Sequence, residues 1–383
     1  MSVTAPSGFR AAGIAAGLKA SGARDLALVV NDGPGDIAAG VFTANRVKAA
    51  PVLWTQQSVA DQRLRAVLLN SGGANACTGP DGFADTHRTA EAVAATLGVG
   101  TGDVAVCSTG LIGERLPMDN LLAGIPRLID TLGADAGADA ADAIRTTDTV
   151  AKTAVVSCNG WTVGGMAKGA GMLAPALATM LCVLTTDAAV DAVTADAALR
   201  SATRTTFDRV DADGCMSTND TVLLLASGAS KMGPDPIRFA DAVHAVCADL
   251  ALQLIADAEG ATKQVRIDVV GAADERDAVI VGRSVARNNL LKCALFGNDP
   301  NWGRVLAAVG TTDAVFEPDR LDVEMNGVCV CRAGAAAGDR NAVDLRGRDV
   351  HIVVDLNAGA AAATIWTTDL SHAYVEENSA YST

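Results

Sequence analysis

Trp161-Thr-Val-Gly-Gly-Met-Ala-Lys-Gly-Ala-Gly-Met172, then Pro175, then the run Thr179-Met-Leu-Cys-Val-Leu-Thr185, is the stretch on which the reading of the fold turns. Glycines at this density mean that the backbone is approached closely or bent into φ > 0 geometry. The run Thr179–Thr185 reads as a buried strand presented by that bend. Upstream, Asp25–Val30, Arg65–Leu69 and Val104–Cys107 read as strands, with helical patterns at Asp85–Leu97 and Asp119–Leu132. The Ala/Asp-rich stretch Gly133–Ala141 reads as a solvated helix or connector. Downstream, Thr194–Phe207 is predicted helical with Thr194 as its N-cap, and Thr221–Leu225 is a strand. Ile237–Ala258 is the clearest helix, with Phe239, Val243, Val246, Cys247, Leu250 and Leu254 at helical spacing and Gly260 just past its end. Arg266–Val270 reads as a strand and Asp277–Phe296 as one helix. Leu321–Met325, the turn Asn326-Gly327, Val328–Arg332, His351–Leu356 and Ala361–Trp366 make a strand-rich end. This mixture predicts a layered α/β fold with a partly antiparallel sheet.

Composition narrows the function. With 383 residues the chain is long for one compact core and suits two packed parts. A net charge of -14, without any basic run, argues against nucleic acid and against anionic membranes. The nine cysteines have no C-x-x-C pair, which predicts reduced, buried thiols. The N-terminus lacks the pattern of a signal peptide, and the apolar runs fall short of the ~20 residues of a membrane span, so the expected place is the cytoplasm.

The chemistry is sparse. None of the four histidines is at metal-ligand spacing from another His or Cys, so no metal site is expected, nor a His-based triad. Gly169-Ala-Gly171-Met-Leu-Ala174 formally fits a dinucleotide-binding turn, but Pro175 falls where the following helix would propagate. The other use of the glycines is to present Thr179. A threonine hydroxyl needs a base to take its proton. Its own α-amine, with a pKa of ~8, can serve, provided that the Ala178–Thr179 bond is cut. From the residues alone, however, a threonine in this position is a plain strand residue in most proteins.

The segment from Ala167 through Ala-Thr-Met-Leu181 to Leu184-Thr-Thr-Asp187 resembles the cleavage and nucleophile region of the ornithine acetyltransferase (ArgJ) family, in its actinobacterial form. Gly8-Phe-Arg-Ala-Ala-Gly13, Val41-Phe-Thr-Ala-Asn45, Asn70-Ser-Gly-Gly-Ala-Asn-Ala76 and Cys107-Ser-Thr-Gly-Leu-Ile-Gly113 also resemble blocks of that family. So do Thr146-Thr-Asp148, Asp257-Ala-Glu-Gly260, Gly297-Asn-Asp-Pro-Asn-Trp-Gly303 and Tyr374-Val-Glu-Glu-Asn-Ser-Ala-Tyr381. The agreement is in order and spans essentially the whole chain.

The resemblance implies an αββα sandwich with a smaller C-terminal portion, and self-cleavage into chains 1–178 and 179–383 that pair as an α2β2 assembly. It implies Thr179 as nucleophile and acetyl carrier, with Thr109 (hydroxyl) and Gly110 (N–H) as the oxyanion hole. Thr146, Lys168, Glu259, Asn378 and Thr383 would bind substrate, with Thr147 a rival to Thr146. The implied reaction moves acetyl from N-acetylornithine to glutamate, releasing ornithine in arginine biosynthesis, without a cofactor. Some members of that family also accept acetyl-CoA, so that donor stays open. Each residue has a plainer use: Lys168 as a turn lysine, Glu259 in an ordinary salt bridge, Asn378 and Thr383 in a disordered tail. Two other functions compete: an aminopeptidase or amidase on the same scaffold, and a nucleotide-binding protein using Gly169–Ala174.

Overall fold

The computed structural model describes residues 2–173 and 180–380. Ahead of the glycine-rich bend run β1 (Phe9–Ile14), β2 (Leu26–Asn31), β3 (Ile37–Phe42), α1 (Ala50–Ser58), β4 (Ala66–Asn70) and α2 (Gly79–Leu97). They are followed by β5 (Val104–Ser108), α3 (Met118–Asp130), α4 (Gly137–Ala143), β6 (Lys152–Cys158) and β7 (Trp161–Lys168). After the bend come β8 (Leu181–Thr186), α5 (Ala192–Thr205), β9 (Thr221–Ala226) and α6 (Pro236–Ala256). The remainder is β10 (Gln264–Ala272), α7 (Glu275–Ala286), α8 (Asn289–Phe296), α9 (Trp302–Val309), β11 (Asp322–Met325) and β12 (Val328–Arg332). It ends with β13 (Ala335–Ala336), β14 (Asp349–Asp355), β15 (Ala361–Thr368) and α10 (His372–Ala380).

The strands form three sheets, in the orders β1-β2-β4-β5, β3-β9-β8-β7-β6 and β13-β12-β11-β14-β10-β15. Alternation along the buried strands shows how they stack, because successive side chains point to opposite faces. On β2, Ala27 and Val29 join Leu181 and Val183 of β8 in one core, between the first two sheets. Leu26 and Leu28 point the other way, into a core with Leu121, Ile125 and Leu128 of α3. On β8, Cys182 and Leu184 face Leu199 of α5 and Val243, Val246 and Leu250 of α6. The layers are therefore helix, sheet, sheet, helix, as expected. The C-terminal portion is a third sheet with its own core, Val265, Ile267 and Val269 packing on Val281 and Val285 of α7 and Val305 of α9.

By length and composition α6 could cross a membrane, but half of its apolar window is buried in the core next to the middle sheet. Several local expectations are corrected. Asp191, not Thr194, caps α5: its carboxylate accepts the Thr194 N–H at 2.7 Å. The helix expected over Asp277–Phe296 is two, because Asn288 caps a new start by accepting the Leu291 N–H. Gly133–Ala141 is not solvated throughout: Ala140 and Ala141 are buried between the sheets. Not every thiol is buried, since Cys77, Cys215 and Cys293 are exposed.

A seam joins the third sheet to the sandwich. Lys292 of α8 is buried and donates to the carbonyls of Ala212 at 2.7 Å and Thr368 at 2.5 Å, and to Thr367 Oγ1 at 3.1 Å.

Candidate active site

One end of the sandwich holds a cavity of about 340 Å³. Thr109, Gly110, Thr146, Lys168, Glu259 and Asn378 all line it, although they come from five separate places in the sequence. Thr147 lines it too. Ala178, Thr179 and Thr383 lie outside the described residues, as does Ala174 of the dinucleotide-like turn. Strand β8 begins at Leu181, two residues after Thr179.

The first wall is the end of β5. Thr109 N–H donates to the Asn70 carbonyl at 3.0 Å and its own carbonyl accepts from Gly73 N–H at 3.0 Å. Gly110 has φ +133°, and a Cβ there would lie 2.9 Å from the Gly73 backbone. Glycine is required on both counts. The stretch Asn70–Ala76 is thus the support that sets the Thr109–Gly110 turn.

The second wall is polar and charged. Lys168, at the end of β7, is buried, and its Nζ donates to Thr146 Oγ1 at 2.7 Å and more weakly to Thr109 Oγ1 at 3.4 Å. Thr147 Oγ1 donates to Glu259 Oε1 at 2.7 Å. The two threonines therefore divide the work, one meeting the lysine and the other the glutamate. Glu259 N–H donates to the Ala170 carbonyl at 3.0 Å, and a Cβ on Gly171 would come within 2.5 Å of Glu259 Oε2. Gly171 is there to let a carboxylate approach. A carboxylate held against this turn would repel a phosphate, which argues against the nucleotide reading of it.

Asp148 holds this wall together. Its Oδ1 accepts from Lys152 Nζ at 2.6 Å and from Gly169 N–H at 2.7 Å, and its Oδ2 accepts from Thr146 N–H at 3.1 Å. Lys152 Nζ also donates to Asp257 at 2.6 Å, two residues before Glu259. Burial opposes ionisation of Asp148, but attraction to Lys168 and Lys152, with hydrogen bonds from Lys152 and Gly169, outweighs it and holds the carboxyl at about 2. Burial pushes the Lys168 ammonium down and Lys152 adds to that push, while Asp148, Glu259 and Asp220 oppose it.

The third wall was not anticipated. Ser217, Thr218 and Asn219 line the cavity, and Asn219 Nδ2 donates to the carbonyls of Ala74 at 2.6 Å and Ser108 at 2.8 Å. This stitches the loop before β9 to the end of β5. A polar run immediately ahead of the apolar stretch Val222–Ala226 was the signal available.

The tail folds back. Ser371 Oγ donates to the Gly260 carbonyl at 2.5 Å and accepts from Tyr374 N–H at 3.0 Å, and Gly260, at φ +59°, lies against the Tyr374 backbone. The helix α10 that follows brings Asn378 to the cavity.

A family model described as the ArgJ family matches residues 10–383. The arginine biosynthesis bifunctional protein ArgJ of Streptomyces avermitilis is 67% identical over 382 residues, covering 100% of each chain. Its counterpart in Thermobifida fusca is 64% identical over 383 residues, again covering 100% of each. A solved structure of ornithine acetyltransferase complexed with ornithine, from Mycobacterium tuberculosis, is 66% identical, with a TM-score of 0.45 over 45% of this chain and 94% of that one. Matched in sequence nearly end to end, the chain belongs to the ArgJ family and is an acyltransferase of arginine biosynthesis.

Proposed function

We propose that the cavity transfers acetyl from N-acetylornithine to glutamate through an ester on Thr179, after the chain has cut itself between Ala178 and Thr179. The observation that carries this reading is the convergence of the Thr109–Gly110 turn with Lys168 and Glu259 in one cavity, close to where β8 begins. In the cut, Thr179 Oγ attacks the Ala178 carbonyl carbon, the C–N bond breaks, and the hydroxyl proton ends on the new amine. Water then hydrolyses the ester, leaving an Ala178 carboxylate and a free Thr179.

In transfer, the Thr179 amine takes the hydroxyl proton as Oγ attacks the acetyl carbon. The Thr109 hydroxyl and Gly110 N–H stabilise the developing oxyanion, a contribution of roughly 3 kcal/mol per donor where charge forms in the transition state. The proton passes to the departing ornithine nitrogen and acetyl stays on Oγ. Glutamate's amine reverses the sequence. A substrate carboxylate suits Lys168 and Thr146, an ornithine ammonium suits Glu259, and Asn378 and Thr383 close the site from the tail. The reading requires no metal or redox cofactor. It places chains 1–178 and 179–383 in an α2β2 assembly in the cytoplasm, with neither nucleic acid nor membrane as partner. Whether acetyl-CoA also serves as donor is decided by assaying it directly. The aminopeptidase reading is not favoured, given relatives of 64 and 67% identity that carry the ArgJ name.

Intact-mass spectra of the protein and of Thr179→Ala test the reading. The expected result is two fragments of about 18 and 21 kDa from the 38.7 kDa chain, the larger starting at Thr179 and gaining ~42 Da with N-acetylornithine. Thr179→Ala stays whole. An uncut, active wild-type chain overturns the mechanism.

A further inference from the structure

The loop from Asp211 to Asp220 grips the backbone on both sides of the segment that holds the proposed cut, and it does so with carboxylates. Upstream, Asp213 Oδ2 accepts the Leu173 N–H at 3.1 Å, its Oδ1 accepts the Cys215 N–H at 3.0 Å, and Ala212 N–H donates to the Leu173 carbonyl. Downstream, Asp220 Oδ1 accepts the Met180 N–H at 3.1 Å, and Thr221 N–H donates to the Met180 carbonyl at 3.0 Å. Leu173, Met180 and Asp220 are all buried. Burial pushes both carboxyls upward, against backbone hydrogen bonds that pull them down. Two carboxyl groups kept in such surroundings call for an explanation.

The loop is also firmly rooted. Arg287 Nε donates to Asp211 Oδ2 at 2.8 Å, Asp211 N–H to the Trp366 carbonyl at 2.8 Å, and Lys292 Nζ to the Ala212 carbonyl at 2.7 Å. Near its other end Asn219 is bonded to the carbonyls of Ala74 and Ser108, beside Thr109. One loop thus ties Leu173, Met180 and the end of β5 to a common frame. A side-chain hydroxyl attacks its own preceding carbonyl only when the chain on either side is confined, and fixing reacting groups in this way is a large source of rate.

We propose that Asp213 and Asp220 are positioning residues for self-cleavage, a two-point clamp on the N–H groups of Leu173 and Met180. This rests on the assignment of the cut to Ala178–Thr179. In this proposal neither carboxyl takes part in the making or breaking of a bond. Their duties differ afterwards. Leu173 ends up near the terminus of the upstream piece, whereas Met180 remains bonded to the nucleophile. Asp213 therefore serves the cut alone, and Asp220 serves both cut and transfer.

Pulse–chase of the full chain in cell-free translation, with the products weighed, tests the clamp. Asp213→Ala is expected to slow the cut at least about ten-fold, while the fraction that does cut keeps kcat within about two-fold of wild type. Asp213→Asn, which can satisfy one of the two N–H groups, falls between. Asp220→Asn keeps the acceptor oxygen and cuts within about three-fold of wild type, while Asp220→Ala is slow in both reactions. Cutting at wild-type speed in Asp213→Ala overturns the clamp and leaves the Thr179 assignment standing. Loss of kcat in the cut Asp213→Ala fraction also overturns it, by revealing general damage. Should Asp220→Ala fail to fold, the Asp213 series decides alone. A wild-type chain never cut at Ala178–Thr179 removes the assignment itself.

Discussion

Two buried lysines mark two regions built for different ends. Lys168 projects into the cavity among Thr146, Thr109 and Asp148, a carboxylate that it shares with Lys152. Lys292 lies in the seam and spends its hydrogen bonds on the carbonyls of Ala212 and Thr368 and on the hydroxyl of Thr367. The first arrangement keeps a cation where a ligand can reach it. The second ties chain segments that would otherwise leave buried carbonyls unpaired. Burial of a charged group is therefore no sign of function until its partners are counted.

The sharpest test of that contrast is on the cavity side. Thr109→Ala is expected to lower kcat by about 10²–10³, the scale for loss of one oxyanion donor, without shifting the thermal midpoint. Lys168→Met is expected to cost about 30- to 100-fold in kcat/KM for acetyl transfer, the scale for a charged hydrogen bond. On the seam side the pattern inverts. Lys292→Met is expected to destabilise by about 1–3 kcal/mol in urea, from the orphaned carbonyls, with kcat in the folded, cut fraction unchanged. A Lys292→Met protein that stays stable but loses transfer would break the distinction.

Titration sharpens it. The Asp148 carboxyl is held at about 2, below its ordinary 3.8. Its contribution is fully present above 3.8 and lost as pH falls towards 2. Lys292 is pushed down by burial, against the attraction of Asp211, Asp213 and Asp369, from 10.5 to about 8. Between those two values the unfolded chain holds the extra proton, so stability from this group rises with pH, and below about 8 the cost is paid in full. Urea midpoints across pH should show the acid slope softened in Asp148→Asn and the alkaline slope removed in Lys292→Met. The smallest expected effect is at a helix end: Asp191→Ala lowers the urea midpoint slightly through loss of the cap, and Thr194→Ala distinctly less.

What was legible in the sequence was whatever had local signal. Strands with unbroken apolar runs, such as Leu26–Asn31 and Thr221–Ala226, and the helix Pro236–Ala256 were read within a few residues. Strand β3 was missed because Ile37-Ala-Ala-Gly-Val-Phe42 is poor in β-formers and is a strand through its pairing with β9. Helix α10 was missed because it buries no residue and has no apolar stripe. In the site, Thr109, Gly110, Thr146, Lys168, Glu259 and Asn378 were named through resemblance, and the structure brings them to one cavity. Asn219 and Asp148 escaped because their importance is in contacts, such as Asn219 to Ala74, that no local pattern encodes. The proposed nucleophile, Thr179, lies outside the described residues, between Leu173 and Met180.

The middle sheet carries a consequence for the life of the molecule. Strands β7 and β8 are antiparallel neighbours, paired from Val163↔Thr186 to Lys168↔Leu181, and the proposed cut lies in the connection between them. Before it, their meeting is intramolecular and nearly independent of dilution. Afterwards, the same sheet is shared between two polypeptides, β3, β6 and β7 from one and β8 and β9 from the other. Renaturation of the mature protein then becomes a second-order association, sensitive to concentration. The uncut Thr179→Ala chain should recover from urea as a single molecule. The cut would in this sense act as a ratchet, fixing a shape that its fragments regain only by finding each other.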